Sequence, residues 1–285
     1  MREALMRARA LPASAVALVP MSTSGDRIQD RPLADAGGKG LFAKEIEQAL
    51  LDGAIDVAVH SAKDLPTILP SGLVLAATLA REDPRDVFIS RTAASLQELG
   101  KGATLGTASL RRQALVKRLR PDVRVITFRG NVETRLRKLE AGEADATLLA
   151  LAGLNRLGLA AVATAVLSIE EFLPAVGQGI IAIEARAEDS RVRGLLAAID
   201  DQDTMRAVAA ERAFLAELDG SCRTPIAGNA EVRNGTLHFR GMILKPDGSE
   251  AHETVRDGSV QDAEVLGADA GRELKGRAPA DFFRH

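Results

Sequence analysis

Two consecutive segments decide how this chain reads. The first is Ala103-Thr104-Leu105-Gly106-Thr107-Ala108-Ser109-Leu110-Arg111-Arg112-Gln113-Ala114-Leu115-Val116-Lys117-Arg118-Leu119. The second is Val123-Arg124-Val125-Ile126-Thr127-Phe128-Arg129-Gly130-Asn131-Val132-Glu133-Thr134-Arg135-Leu136-Arg137-Lys138-Leu139. Each runs a short apolar strand through a small-residue turn into an arginine-bearing helix, and Ala141-Gly142 supplies a stop. A helix start leaves backbone N–H groups unpaired where the macrodipole favours negative charge. Arg111, Arg112, Arg129 and Arg135 stand at or within a turn of these junctions, which in open α/β sheets line the ligand crevice. Two readings are open: a solvated helix face, which is the reading for Lys117, Arg118, Arg120, Arg137 and Lys138, or a site for a polyanion gripped by planar guanidinium forks.

The rest of the composition narrows the partner. At 285 residues, 46% hydrophobic and 27% charged, the chain is an ordinary globular protein with room for two or three domains. Its formal net charge of −2 makes the basic stretch a local feature, and with no Trp or Tyr it lacks the best base-stacking side chains. No nucleic-acid partner is therefore expected, and no apolar run approaches membrane-spanning length. The start, Met1-Arg2-Glu3-Ala4-Leu5-Met6-Arg7-Ala8-Arg9-Ala10, reads as a short helix ending near Leu11-Pro12 and lacks the apolar core of a secretory signal. One cysteine excludes an internal disulfide framework, so a reducing cytoplasm is expected.

Outward from the centre, Ala15-Val16-Ala17-Leu18-Val19 reads as a strand and residues 21–40 as a long loop, rich in Gly, Ser and Asp, of the kind that serves as a lid. Phe42, Ile46, Ala49 and Leu50 fall at helical spacing, with Lys39 and Lys44 bracketing the helix start. Ile55-Asp56-Val57-Ala58-Val59 is a buried strand that ends in His60-Ser61-Ala62-Lys63-Asp64-Leu65-Pro66. Lys63 and Asp64 are then either delivered into the crevice of the sheet or paired with each other on a surface turn.

A weak repeat, Leu51-x-Gly53-x-x-Asp56 and Leu139-x-x-Gly142-x-x-Asp145, suggests two similar lobes. The polar run Arg81-Glu82-Asp83-Pro84-Arg85-Asp86 reads as the crossing between them, and Leu173-Pro174-Ala175-Val176-Gly177-Gln178-Gly179 as the return, so that two crossings make a hinge. The second repeat strand is expected to end at Ala152-Gly153-Leu154-Asn155-Arg156, placing Arg156 opposite Lys63 and Asp64. A helix from Asp203, the stretch Gly220-Ser221-Cys222, turns at Asn234-Gly235 and Pro246-Asp247-Gly248, and a helix from Val260 suggest a small antiparallel α+β third domain. The expected domains are 1–80 with 180–198, then 85–173, then 202–285.

The motifs His60 to Pro66, Gly106 to Gln113, Phe128 to Arg135, Leu173 to Gly179 and Gly220-Ser221-Cys222, in this order, resemble the porphobilinogen deaminase (hydroxymethylbilane synthase) family. The resemblance implies an α/β fold of two periplasmic-binding-protein-like lobes with a hinge plus the small C-terminal α+β domain. It implies a cytoplasmic, monomeric transferase that builds a linear tetrapyrrole from porphobilinogen and releases ammonia, without a metal. It assigns Asp64 as catalytic carboxylate and Cys222 as the thioether anchor of a dipyrromethane cofactor. Lys63, Thr107, Ser109, Arg111 and Arg112 are then expected at the cofactor, and Lys39, Phe42, Arg129, Arg135, Arg156 and Gln178 at the substrate. By composition alone, a lone cysteine reads as an inert buried residue.

The family's pattern begins with a strand carrying an arginine and a serine that serve the cofactor, whereas here Met1 falls inside the region matching the following helix. A parallel first lobe missing a central strand, and hence a weakened enzyme, is the expectation. Asp35 stands where some relatives have a lysine, and Ala62 fills a variable position. The competing reading is a two-lobed anion-binding protein without catalysis.

Overall fold

The computed structural model describes residues 1–27, 42–218, 224–279 and 282. Helices α1 (Arg2–Arg9), α2 (Ser24–Arg27) and α3 (Lys44–Leu51) precede strand β1 (Ala58–Ser61), which runs into a single 3-10 turn, Ala62–Asp64. After β2 (Leu73–Thr78) the chain crosses to β3 (Asp86–Ser90), β4 (Thr104–Gly106), α4 (Leu110–Leu119), β5 (Arg124–Ile126), α5 (Val132–Glu140), β6 (Ala146–Ala150), α6 (Leu151–Leu157) and β7 (Ala165–Val166). It returns through β8 (Ile181–Arg186) and α7 (Ser190–Leu196) to α8 (Gln202–Glu217), then β9 (Ile226–Arg233), β10 (Thr236–Leu244), β11 (Ala251–Ser259) and α9 (Ala263–Arg277).

These strands make three sheets, ordered β1-β8-β2, β5-β4-β6-β3-β7 and β11-β10-β9. In the second, β4 lies parallel to both neighbours while β3 is antiparallel to β6 and β7. The third is an antiparallel meander against which α8 and α9 pack through Phe214, Ala210, Ala270 and Leu274. The fold is thus α/β with a C-terminal three-stranded sheet and its helices. Phe88, Leu105, Leu115, Leu148 and Phe172 share one buried cluster with Ala227, Met242 and Leu244, so the middle and C-terminal sheets are continuous through their cores. Among the described residues, no helix is long and apolar enough to cross a membrane.

Several readings change. The strand expected at 55–59 begins only at Ala58 and takes in His60 and Ser61, and Val59 is 44% exposed, so it is not buried on both faces. The loop expected over 21–40 contains helix α2 at Ser24–Arg27. Residues 15–19 form no strand: Ala13–Ala15 is a 3-10 turn, and Leu18 and Val19 are 68% and 60% exposed. An apolar run becomes a strand only where a neighbour takes up its backbone groups, and among the described residues none lies alongside. The first sheet is antiparallel, because β8 comes back from the second sheet and runs against both β1 and β2. Residues 151–157 are helix α6 rather than the end of a strand. Arg120 is no solvated cation: it donates to the Leu96, Gln97 and Leu99 carbonyls and pairs with Asp122 at 2.7 Å, closing the loop ahead of β4.

Glu211 of α8, fully buried, holds the crossings together. Its Oε2 accepts the Gly177 N–H at 2.5 Å, and its Oε1 accepts the Ala230 N–H at 2.7 Å and Arg81 Nη1 at 2.5 Å. Arg81 also donates through Nε to the Gln178 carbonyl at 2.9 Å. One carboxylate therefore joins the outward crossing, the return crossing and the C-terminal sheet. In Glu211→Gln the amide nitrogen faces an N–H donor whichever way the side chain turns, and Arg81 loses its buried counter-charge. The expected loss is about 3–5 kcal/mol, read as a lowered urea or thermal midpoint; a midpoint equal to the parent's would show that the carboxylate is dispensable.

Candidate active site

The site forms where the two crossings meet α4. Ser109 caps α4, its hydroxyl accepting the Arg112 N–H, and Asn131 caps α5, its Oδ1 accepting the Thr134 N–H at 2.8 Å. Thr107 is buried, its hydroxyl accepting the Ser109 N–H at 3.2 Å. Part of the anion-binding capacity expected at the two helix starts is therefore used internally.

Arg111 and Arg112 are buried on the first turn of α4 and converge on Asp86, the first residue of β3. Arg111 Nη2 reaches Asp86 Oδ2 at 2.7 Å, and Arg112 reaches Oδ1 through Nη2 at 2.7 Å and Nε at 3.1 Å. Each guanidinium donates once more, to the Leu173 and Leu148 carbonyls, both at 2.8 Å. Burial by itself would push the Asp86 carboxyl up; the two guanidiniums outweigh it and bring the carboxyl down to about 2. Arg111 Nε stays buried with no hydrogen-bond partner among the described residues.

Gln178 relays this pair to the loop after β1. Its Nε2 donates to Asp86 Oδ1 at 3.1 Å and the Pro84 carbonyl at 2.7 Å, while its Oε1 accepts from Lys63 Nζ at 3.4 Å. The backbone around it leaves no room for a side chain. Gly177 has φ +75°, and a Cβ there would come within 2.8 Å of the Lys63 nitrogen; Gly179 has φ +87°, and its Cβ would strike the Glu82 carbonyl.

Lys63, Asp64, Phe42, Ser109, Arg111, Arg112, Arg135 and Gln178 line one cavity of about 250 Å³, with Ala108, Ala175, Val176, Leu215, Thr224 and Ile226 completing the wall. Lys63 and Asp64 keep exposed surface because they open onto this space. Enclosure by its walls nevertheless pushes the Lys63 ammonium down to about 8; Asp64 opposes the shift and Arg112 adds to it. Arg135 is likewise brought down to about 10, by burial and then by repulsion from Arg112 and Arg129.

The remaining expected residues fall elsewhere. Arg129 is buried, with its charge acting on Arg135. Arg156 donates to the Gly179 carbonyl at 2.7 Å and is not part of the cavity wall. Lys39 and Cys222 lie outside the described residues. Sequence reasoning missed Asp86, which it read only as the end of the polar crossing; its position as the first residue of the otherwise apolar Asp86-Val87-Phe88-Ile89 was the available signal.

Because Lys63 is lowered, it is charged below about 8 and neutral above, so the cavity loses a positive charge as pH rises through that value. Affinity for a small dicarboxylate, measured by calorimetric titration between pH 7 and 9, should fall across this window. In Lys63→Arg, whose guanidinium stays charged throughout, the fall should disappear. An unchanged pH profile in that variant would assign the inflection to another group.

Comparison with known proteins follows the same motifs. Residues 1–194 match the family described as "Porphobilinogen deaminase, dipyromethane cofactor binding domain", and residues 205–276 match "Porphobilinogen deaminase, C-terminal domain". The porphobilinogen deaminase of Nitrobacter hamburgensis is 61% identical over 282 residues, covering 99% of this chain and 89% of that protein. That of Nitrobacter winogradskyi is 60% identical over the same shares. Among solved structures, a periplasmic sulfonate-binding protein, SsuA, from Methylobacillus flagellatus KT aligns at 16% identity and a TM-score of 0.39, covering 74% of this chain and 61% of that one. A periplasmic substrate-binding protein of an ABC transporter from Coxiella burnetii aligns at 15% identity and a TM-score of 0.37, covering 54% and 74%. With both family domains present in order, and such identity along nearly its whole length, the chain belongs to the porphobilinogen deaminase family.

Proposed function

We propose that this chain condenses porphobilinogen stepwise into linear hydroxymethylbilane with release of ammonia, Asp64 acting as the catalytic carboxylate and Cys222 as the anchor of a dipyrromethane. The observation that carries the reading is the cavity itself, in which Asp64 faces a wall of Lys63, Arg111, Arg112 and Arg135. Counting Arg129, five cations stand against the carboxylates of Asp64 and Asp86, an excess suited to a ligand with several carboxylates. The residues fit a dipyrromethane. Arg111 Nε is a buried donor in need of an acceptor, Val176, Leu215 and Ile226 offer apolar surface to pyrrole rings, and Thr224, on the wall, follows Cys222 by two residues.

When bound, the dipyrromethane supplies a free pyrrole α-carbon as nucleophile and a point of attachment for the growing chain. The protein's part is electrostatic. Porphobilinogen whose protonated aminomethyl group leaves as ammonia becomes an electron-poor azafulvenium cation, its charge on the ring N–H, and a carboxylate fixed beside that nitrogen stabilises the charge as it develops. The same carboxylate holds and returns the pyrrole proton. Lys63, Arg112 and Arg135 fix the acetate and propionate arms, with Ser109, Phe42 and Gln178 shaping the wall; Thr107, Arg129, Arg156 and Lys39 complete the set that supports binding. We take the enzyme to act as a monomer, and a single cysteine suits a reducing cytoplasm. We divide the chain into 1–80 with 180–198, 85–173 and 202–285, a division supported by the three sheets.

Asp64→Asn keeps the shape of the side chain and removes its charge, so folding should persist while turnover falls by about 100-fold or more. Bilane formation within a few-fold of the parent would remove Asp64 from this role. Cys222→Ser should lack any cofactor-sized adduct in whole-protein mass, serine being the far weaker nucleophile. The parental adduct mass in that variant would place the attachment elsewhere.

A further inference from the structure

Asp64 closes a single 3-10 turn, which has little rigidity of its own. The turn is fixed at its entry, where the Ala62 N–H donates to the Ile180 carbonyl at 2.9 Å and Gly177 packs beneath the Ala62 and Lys63 backbone. Its exit, ahead of β2, has no regular structure. There Arg212, from the middle of α8, donates through Nη2 to the Pro66 carbonyl at 2.9 Å and the Thr67 carbonyl at 2.7 Å. Burial pushes the Arg212 guanidinium down, and the charges of Glu184 on β8 and Glu47 on α3 oppose that shift. Those carboxylates are buried, and His60 Nε2 lies 3.2 Å from Glu184 Oε2, so the acidic pocket is part of the β1–β8–α3 core. Burial and the neighbouring Glu184 push the Glu47 carboxyl up, and His60 and then Arg212 oppose that shift, so Arg212 is one of two positive groups acting there.

Along the sequence, α8 leads from Arg212 toward Cys222. We propose that Arg212 is a positioning residue, whose guanidinium clamps the exit of the Lys63–Asp64 turn to the helix that leads to Cys222 and so sets the carboxylate relative to the anchored chain. The proposal rests on the reading of Asp64 and Cys222 given above. It differs from the arginines proposed to bind anions in that Arg212 is not part of the cavity wall and directs its Nη2 to backbone carbonyls.

The test uses the full chain carrying its cofactor, with Arg212→Leu and Arg212→Lys beside the parent. In Arg212→Leu, kcat for bilane formation should fall roughly tenfold through misplacement of the carboxylate, with KM within about twofold and the adduct mass retained. Arg212→Lys, which keeps the charge and a donor, should recover part of kcat. Amide hydrogen exchange over residues 63–67 should quicken about fivefold or more in Arg212→Leu, with the thermal midpoint little changed. Unchanged kcat, unchanged exchange in that loop, or a joint loss of kcat, adduct and thermal midpoint would each overturn the proposal, the last by showing a purely structural role. A parent that makes no bilane would instead sink the functional reading, and the exchange measurement would still decide whether the clamp exists.

Discussion

The carboxylate of Asp86 is the constraint around which the rest is arranged. Two guanidiniums on adjacent residues of one helical turn repel each other, and taking both out of water is affordable only beside a fixed negative charge. Asp86 supplies it from the first position of β3, where the strand fixes its backbone on both sides through β6 and β7. Consequently α4 has one permitted rotation and one permitted depth against the middle sheet. Gln178 reads that position out to Lys63 and hence to the turn bearing Asp64. The electrostatics of the cavity and the packing of the lobe are therefore one problem, solved by the same atoms.

A second buried carboxylate, Glu211, does for the three sheets what Asp86 does for α4. Through Gly177, Ala230 and Arg81 it joins both crossings to the C-terminal sheet. The β10–β11 turn strengthens the joint from the other side: a Cβ at Gly248, φ +74°, would meet the Arg118 nitrogen at 2.5 Å, so the turn lies directly on α4. A connection that could have been a loose hinge is thus tied at several points, and the cavity wall draws on all three sheets or their helices. This arrangement suits the proposed role of Asp64, a carboxylate kept in register with a ligand tethered at Cys222.

What the sequence disclosed follows from how local each signal was. Helices α4 and α5 were legible almost to the residue, because Ser109 and Asn131 are caps that act three residues away and Ala141-Gly142 is a stop in the next turn. The convergence of Lys63, Asp64, Arg111, Arg112 and Arg135 was legible as a motif set but not as geometry. Nothing within a few residues of Asp86 announces that its partners lie 25 and 26 positions on. Arg120 misled for the same reason, since its carbonyl partners at Leu96, Gln97 and Leu99 are distant in sequence. The segment 15–19 misled in the opposite direction: its composition favours a strand, yet pairing is a property of neighbours and not of composition.

The same accounting explains why the cations divide into two groups. Arg111 spends Nη1 and Nη2, and Arg112 spends Nε, Nη1 and Nη2, on fixed acceptors within the protein. Arg135 uses Nε on the Gly130 carbonyl, and Lys63 makes one long contact with Gln178. The first pair is therefore preorganised, with Arg111 Nε and the second hydrogen of each Nη left to offer, while the second pair keeps more donors in reserve and is already depressed by burial and repulsion. A carboxylate arriving at Lys63 or Arg135 would offset that repulsion as well as form hydrogen bonds. The proposed function, in which successive rings pass along a growing chain, is suited by this combination of a rigid charge fixed to its own partner and cations with donors to spare.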